Sequence, residues 1–246
     1  ALAAETARRG ARVDLVHNGS RGMLWLEPLV EVTTPAGRVA YGPVAAADVP
    51  GLLDAGLLAG GAHRLRLGLT EELPYLKRQE RLTFARIGVT DPLSLSEYEA
   101  LSGWRGLRAA LALSGAEVVD RVTRSGLRGR GGAGFPTGIK WKTVLDTPAD
   151  RKYVVCNADE GDSGTFSDRM VMEGDPYLLI EGMTIAGVAL GATHGYIYLR
   201  SEYPDAERIL LAALERAEKA GFLGENVLGS GKAFHLALRR GAGSYV

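Results

Sequence analysis

Apolar and polar positions follow one another in a regular order through the second half of this chain. Tyr153 to Cys156 is a short apolar strand, Pro176 to Leu190 a mostly apolar helix, and Gly195 to Leu199 a strand rich in Tyr and Ile. Pro204 to Ala220 follows as an amphipathic helix and Ala233 to Leu238 as a third strand. Strand and helix alternating at this spacing predict βαβ units and a parallel sheet. In such sheets ligands sit at the carboxyl ends of the strands, so the polar residues that follow each strand become candidates for a site.

The first half reads differently. Residues 1 to 64 form a small α/β unit by pattern: a helix over Leu2 to Arg9, a strand over Arg12 to Val16, and a hairpin of Leu29 to Thr33 and Arg38 to Tyr41 around Thr34-Pro35-Ala36-Gly37. A helix over Asp48 to Leu58, with Pro50 in its first turn, closes the unit. Residues 65 to 113 read as a connecting segment, with strand-like alternation at Arg64 to Leu67 and a helical face over Tyr75 to Arg86. Asp91-Pro92 is a turn signal, and Ser94 to Glu99 an acidic helix start. Residues 114 to 246 then form a single α/β binding domain, entered by a helix over Ala116 to Ser125.

Between that helix and the first strand of the alternation lies Ser125 to Trp141, in which six of seventeen residues are glycine, interspersed with Arg128, Arg130 and Lys140. Glycine allows positive φ and close approach of a ligand to the backbone, and successive bare N–H groups form a concavity for phosphate. A flexible linker is the competing reading, but Phe135, Pro136 and Trp141 are foreign to Gly/Ser linkers. Gly129, Gly131 and Gly134 satisfy G-x-G-x-x-G, yet a helix precedes them where the dinucleotide fingerprint needs a strand. A Walker A loop fails as well, because Ile139 follows Gly138 and Trp141 follows Lys140.

Composition narrows the field. Lys plus Arg equals Asp plus Glu at 29 each among 246 residues, so bulk charge gives no reason to expect nucleic acid or an anionic membrane as partner. A single cysteine, Cys156, excludes a disulfide framework and any cysteine-ligated cluster built within this stretch, and no metal site is expected in it. No apolar run approaches the roughly 18 residues of a membrane span. With no signal-peptide pattern at its start, the chain reads as cytoplasmic, and its opening without Met reads as a fragment. The four histidines offer no catalytic triad.

Ser125 to Trp141 resembles the flavin loop of the NADH-oxidising flavoprotein family. That family includes the flavoprotein subunit of respiratory complex I, the diaphorase subunit of NAD-reducing hydrogenases and the β subunit of NAD-dependent molybdenum formate dehydrogenases. Cys156 to Glu160, Tyr196 to Tyr203 and Arg240 to Tyr245 recur there in the same order, so the resemblance covers Asp91 to Val246. It implies a parallel Rossmann-like sheet carrying a Gly-rich FMN loop. Gly129, Arg130, Gly131, Gly132, Gly134 and Lys140 are implied to hold the phosphate and ribityl end of FMN. Asn157, Asp159 and Glu160 would lie along the flavin ring, with Tyr245 from the last block; Phe135 and Asp162 would contact NAD. Glu160 is the residue expected to act on the chemistry, its charge holding the flavin potential down.

The resemblance also implies an FMN-containing diaphorase subunit that exchanges hydride with NAD(H) and passes single electrons to iron–sulfur clusters on partner subunits. The Gly161 to Gly164 stretch, with Asp162 where complex I members carry Glu and Thr143 where they carry a second Phe, looks more like the formate dehydrogenase and hydrogenase branches. NAD-dependent formate dehydrogenase is the first expectation; a hydrogenase or complex I subunit is the alternative, and a non-catalytic docking subunit the competing class. The first 64 residues resemble the family's thioredoxin-like ferredoxin domain, but Ser20 and Leu24, ahead of Glu27-Pro28, stand where its cysteines would be, and such clusters need thiolates. The family continues past this stretch with a four-cysteine segment, so the chain is expected to extend beyond Val246 and a 4Fe–4S cluster is expected there.

Overall fold

The computed structural model describes residues 1–162 and 164–243, which divide into two compact units, 1–85 and 86–246. In the first unit α1 (Leu2–Arg8) precedes an antiparallel sheet of β1 (Val30–Thr34), β2 (Gly37–Tyr41) and, after α2 (Val49–Asp54), β3 (Arg66–Leu69), in the order β1-β2-β3. Val39, Tyr41, Val44, Val49, Leu52 and Leu57 are buried together as its core. The hairpin lies where the pattern places it. Because β3 pairs with β2, the unit extends to Ala85 rather than stopping at 64.

Three local expectations give way. Arg12 to Val16 forms no strand: Val13, Leu15 and Val16 are exposed, and among the described residues no strand pairs with them to take their hydrogen bonds. The helix from Asp48 stops at Asp54, because Gly56 turns left-handed at φ +78° and hands the chain to a single 3₁₀ turn at Leu57–Ala59. The helical face over Tyr75 to Arg86 shrinks to α3 (Pro74–Lys77), where Leu76 is buried but Leu82 is left 81% exposed.

In the second unit α4 (Leu95–Ala100), α5 (Arg105–Leu111) and α6 (Gly115–Arg124) lead to the glycine-rich segment and α7 (Thr137–Asp146). Ser94 caps α4 by accepting from the Glu97 amide, and Ser114 with Glu117 forms a reciprocal capping box on α6. The strands β4 (Tyr153–Ala158), β5 (His194–Leu199) and β6 (His235–Arg240) form a parallel sheet in the order β4-β5-β6. They are joined through α8 (Ser167–Gly174), α9 (Pro176–Leu190) and α10 (Pro204–Lys219), so the α/β alternation read from the sequence is the architecture found. Ile197, Leu199, Ile180, Met183, Leu210 and Phe234 belong to its main core.

The register is continuous: Tyr153, His194 and His235 are level, as are Ala158, Leu199 and Arg240. The three strands therefore end at one edge. Two acidic residues are buried at α9: Glu181 within the helix and Asp175 just before it. The Glu181 carboxylate accepts from Tyr98 O–H at 2.5 Å, Trp104 N–H at 2.8 Å and Leu107 N–H at 2.9 Å, which fastens α5 to α9. Asp175, only 3% exposed, accepts from Arg86 Nε at 2.8 Å.

Candidate functional site

The glycine-rich segment is a closed loop followed by a helix. Arg128 and Pro136 form an isolated antiparallel bridge, with Gly129 N–H donating to Phe135 O at 2.9 Å and Thr137 N–H to Leu127 O at 2.9 Å. Arg128 Nε donates to Gly134 O at 2.5 Å, so this cation braces the loop from inside. Gly132 and Gly134 have φ of +102° and +59°, conformations that L side chains resist. A Cβ at Gly131 or Gly132 would meet nothing within 4 Å, whereas one at Gly138 would lie 2.2 Å from Thr123 Oγ1. Gly138 is thus a packing residue that lets α7 lie on α6, while Gly131 and Gly132 present bare backbone to open space.

Among the described residues, the amides of Arg130 to Gly134 donate no backbone hydrogen bond, and α7 follows its N-cap residue Pro136 without a side-chain cap. Thr137 N–H is taken by Leu127 O, but the loop's free amides together with the remaining first-turn N–H groups and the dipole of this ten-residue helix favour negative charge and make an anion seat. Lys140 belongs to the same place: its Nζ lies 5.8 Å from the Phe135 ring centroid and 4.0 Å from where a Gly129 Cβ would be. The Phe135 ring itself is 46% exposed. The seat thus offers donors, fixed positive charge and an open aromatic face, a donor set that fits a phosphorylated heterocycle.

At the carboxyl edge of the sheet, Asn157 folds its Oδ1 back to accept from Asp159 N–H at 3.0 Å, shaping the turn out of β4. Asn157 and Asp162 are exposed and Asp159 is half-buried. Gly241, just past β6, is needed as glycine, since a Cβ there would lie 2.7 Å from the Tyr198 hydroxyl. Tyr245 falls outside the described residues.

Glu160 is expected at the flavin ring, and the structure gives its carboxylate four protein partners. Ser167 Oγ at 3.3 Å and Asp168 N–H at 3.0 Å donate to Oε1; Arg169 N–H and the Tyr203 hydroxyl, each at 3.0 Å, donate to Oε2. Arg200 Nη1 donates to the Glu160 carbonyl at 2.7 Å. Glu160 thereby serves as a remote N-cap for α8, whose own N-cap residue, Phe166, is left-handed and supplies no side-chain bond. This bracing role comes from α8, Arg200 and Tyr203; the sequence pattern places Arg200 to Tyr203 after the second strand, at the site's edge, but assigns α8 no part in it. Two signals point there: Arg200 to Tyr203 follows a strand of the parallel sheet, and it stands among the blocks that recur in the family.

Electrostatics follow from this packing. Burial raises the Asp168 carboxyl, and the nearby Glu160 charge raises it further. Burial, then donation to Glu160, raises the Tyr203 phenol, keeping it a donor. Burial pushes the Cys156 thiol up to about 11, with Asp168 adding to it, so it stays protonated and a poor nucleophile. Among the described residues no group of three or more His, Cys, Asp or Glu side chains is placed to hold a metal ion.

With the loop, the parallel strands and their shared edge in place, the Nuo51 FMN-binding domain family matches residues 122–246, just over half of the chain. The chain belongs to this family. Its match begins within α6 and takes in the closed glycine loop and all three parallel strands. Two relatives are the NADP-reducing hydrogenase subunit HndC of Solidesulfovibrio fructosivorans, 54% identical over 170 residues, and an NADH-quinone oxidoreductase subunit of Aquifex aeolicus, 52% identical over 153. These alignments cover 69% and 62% of this chain but only 34% and 36% of the relatives, so the chain spans about a third of their length. The crystal structure of an NAD+-reducing NiFe hydrogenase in its H2-reduced state is similar at a TM-score of 0.53 and 27% identity, covering 84% of this chain and 33% of that one. No helix among the described residues is long and apolar enough to cross a membrane.

Proposed function

We propose that this chain is the FMN- and NAD(H)-binding part of a diaphorase-type subunit that feeds or draws electrons through a larger complex. The observation that carries the reading is the closed loop over 129–135, whose amides from Arg130 to Gly134 make no backbone hydrogen bond, followed by a helix without a side-chain cap and lying inside the stretch matched by the FMN-binding family. Gly129, Arg130, Gly131, Gly132, Gly134 and Lys140 would hold the phosphate end of FMN. Asn157 and Asp159 would line its ring, with Tyr245 contributing from the last block, while Phe135 and Asp162 would receive NAD(H). Bound there, FMN supplies two-electron exchange with the nicotinamide and one-electron exchange with iron–sulfur centres of partner subunits. The residues of this chain bind and orient, and none of them is required to move a proton. The first unit is read as a docking domain without a cluster. Ser20 is engaged with Glu27 at 2.6 Å and Leu24 is an exposed hydrocarbon, so neither offers a thiolate.

The named relatives belong to a hydrogenase and a quinone oxidoreductase, which supports those alternatives for the partner enzyme at least as well as formate dehydrogenase. The test is direct. The native subunit, purified with its partners, is expected to release one FMN per chain on denaturation and to lose its flavin absorption when NADH is added without oxygen. A colourless protein that takes up no FMN would return the chain to the docking class. Identifying the co-purifying subunits decides between formate, hydrogen and quinone.

A further inference from the structure

Glu160 joins three elements while standing in a left-handed conformation, φ +45°, that a residue with a side chain adopts only where its surroundings enforce it. The enforcement comes from α8 through Asp168 and Arg169, and from the segment after β5 through Arg200 and Tyr203. Tyr203 is itself only 6% exposed, and the guanidinium groups of Arg200 and Arg169 lie 5.1 Å and 5.7 Å from its ring centroid. Its hydroxyl is therefore delivered to Glu160 from a fixed ring. A backbone turned at Glu160 sets the direction in which Gly161 and the exposed Asp162 leave the sheet edge, since each φ/ψ pair propagates along the chain. The phosphate seat over 129–140 makes none of these contacts.

We infer that Tyr203 is a positioning residue for the nicotinamide dinucleotide: by holding Glu160 against α8, it fixes where Asp162 stands on the carboxyl edge and leaves the flavin seat untouched. The inference rests on reading Asp162 as a dinucleotide contact. It also assigns the Glu160 charge to the fold instead of the flavin ring, because both carboxylate oxygens are already satisfied by protein donors.

The experiment titrates NAD+ into the oxidised native complex, so that no turnover intervenes, and measures flavin content, flavin midpoint potential and thermal unfolding on the same samples. Tyr203→Phe removes one donor to a charged acceptor and leaves the other three. Its Kd for NAD+ should rise about three- to tenfold, with flavin content and midpoint as in wild type. Combined with Asp162→Asn, the loss should be clearly less than additive, because both changes act on one contact. An unchanged Kd with a lower unfolding temperature would make Tyr203 a brace of the fold alone and overturn the inference, as would strict additivity or loss of flavin with the hydroxyl. Should Tyr203→Phe fail to fold, Arg200→Gln, which withdraws the donor to the Glu160 carbonyl, is put through the same titration: a raised Kd with flavin retained supports the inference, and an unmoved Kd overturns it. Wild-type complex that binds neither FMN nor NAD+ would overturn the functional reading and this inference together. Wild-type complex that binds both, with a variant Kd unmoved, overturns this inference alone.

Discussion

Phe135 sits 46% exposed beside Lys140, on the rim of a loop whose amides are free. A ring left in water at that position contributes little to the core, so its removal should be felt by whatever stacks on it. Phe135→Ala is expected to raise KM for NADH by about tenfold, as a base stack worth about 1–3 kcal/mol implies, while bound flavin stays near wild type. Steady-state kinetics with flavin content measured in parallel checks this, and equal loss of both ligands would place the ring in the flavin seat. At this scale residue type was legible and direction was not. Six glycines among three cations announce an anion seat in any fold. That Arg128 turns inward to Gly134, that Gly138 packs on Thr123, and that Glu160 points to α8 depend on φ values and on neighbours remote in sequence.

Asp175 and Glu181 belong to the scale of elements, since they decide how α9 holds its neighbours. Burial pushes the Asp175 carboxyl up to about 6, and Arg86 at 2.8 Å pulls it back only in part. The folded value lies above the unfolded value of about 3.9, so the folded state binds this proton more tightly. The stabilisation it gives is complete below pH about 4 and is lost as pH rises through about 6, amounting to about 3 kcal/mol at most. Urea unfolding from pH 4 to 7 should show that decline from this site, and Asp175→Asn should remove it; a slope unchanged in the variant would assign the pH dependence elsewhere. α10 was legible from its amphipathic period, and α9 and the three parallel strands from their apolar runs, because the sheet and the helix packed on it bury their own apolar residues. α7 and α8 were missed because glycines mask the start of one and a left-handed Phe166 the start of the other. Arg12 to Val16 had a strand's alternation without a partner strand, and alternation alone cannot supply one.

On the scale of the whole second unit, the seat and the edge come from segments separated by the greater part of its length. Loop 129–135 follows the unit's first three helices, and the edge is complete only after β6, which ends at Arg240. FMN bound to such a site stabilises the folded unit by mass action, by about 2.7 kcal/mol when free ligand is a hundredfold above Kd. Protein stripped of flavin should therefore unfold at a lower temperature, and its midpoint should climb with the logarithm of added FMN. A midpoint indifferent to FMN would mean that the folded unit does not bind FMN in preference to the unfolded chain, and would count against the FMN reading. The level register of Ala158, Leu199 and Arg240 has a further consequence for the living cell. A site that draws on the ends of all three strands ties its occupancy to the folding of the whole sheet, so a chain waiting for its cofactor would expose that sheet to proteases more often than a loaded one. Flavin supply would then set how long each copy lasts as well as how many copies work.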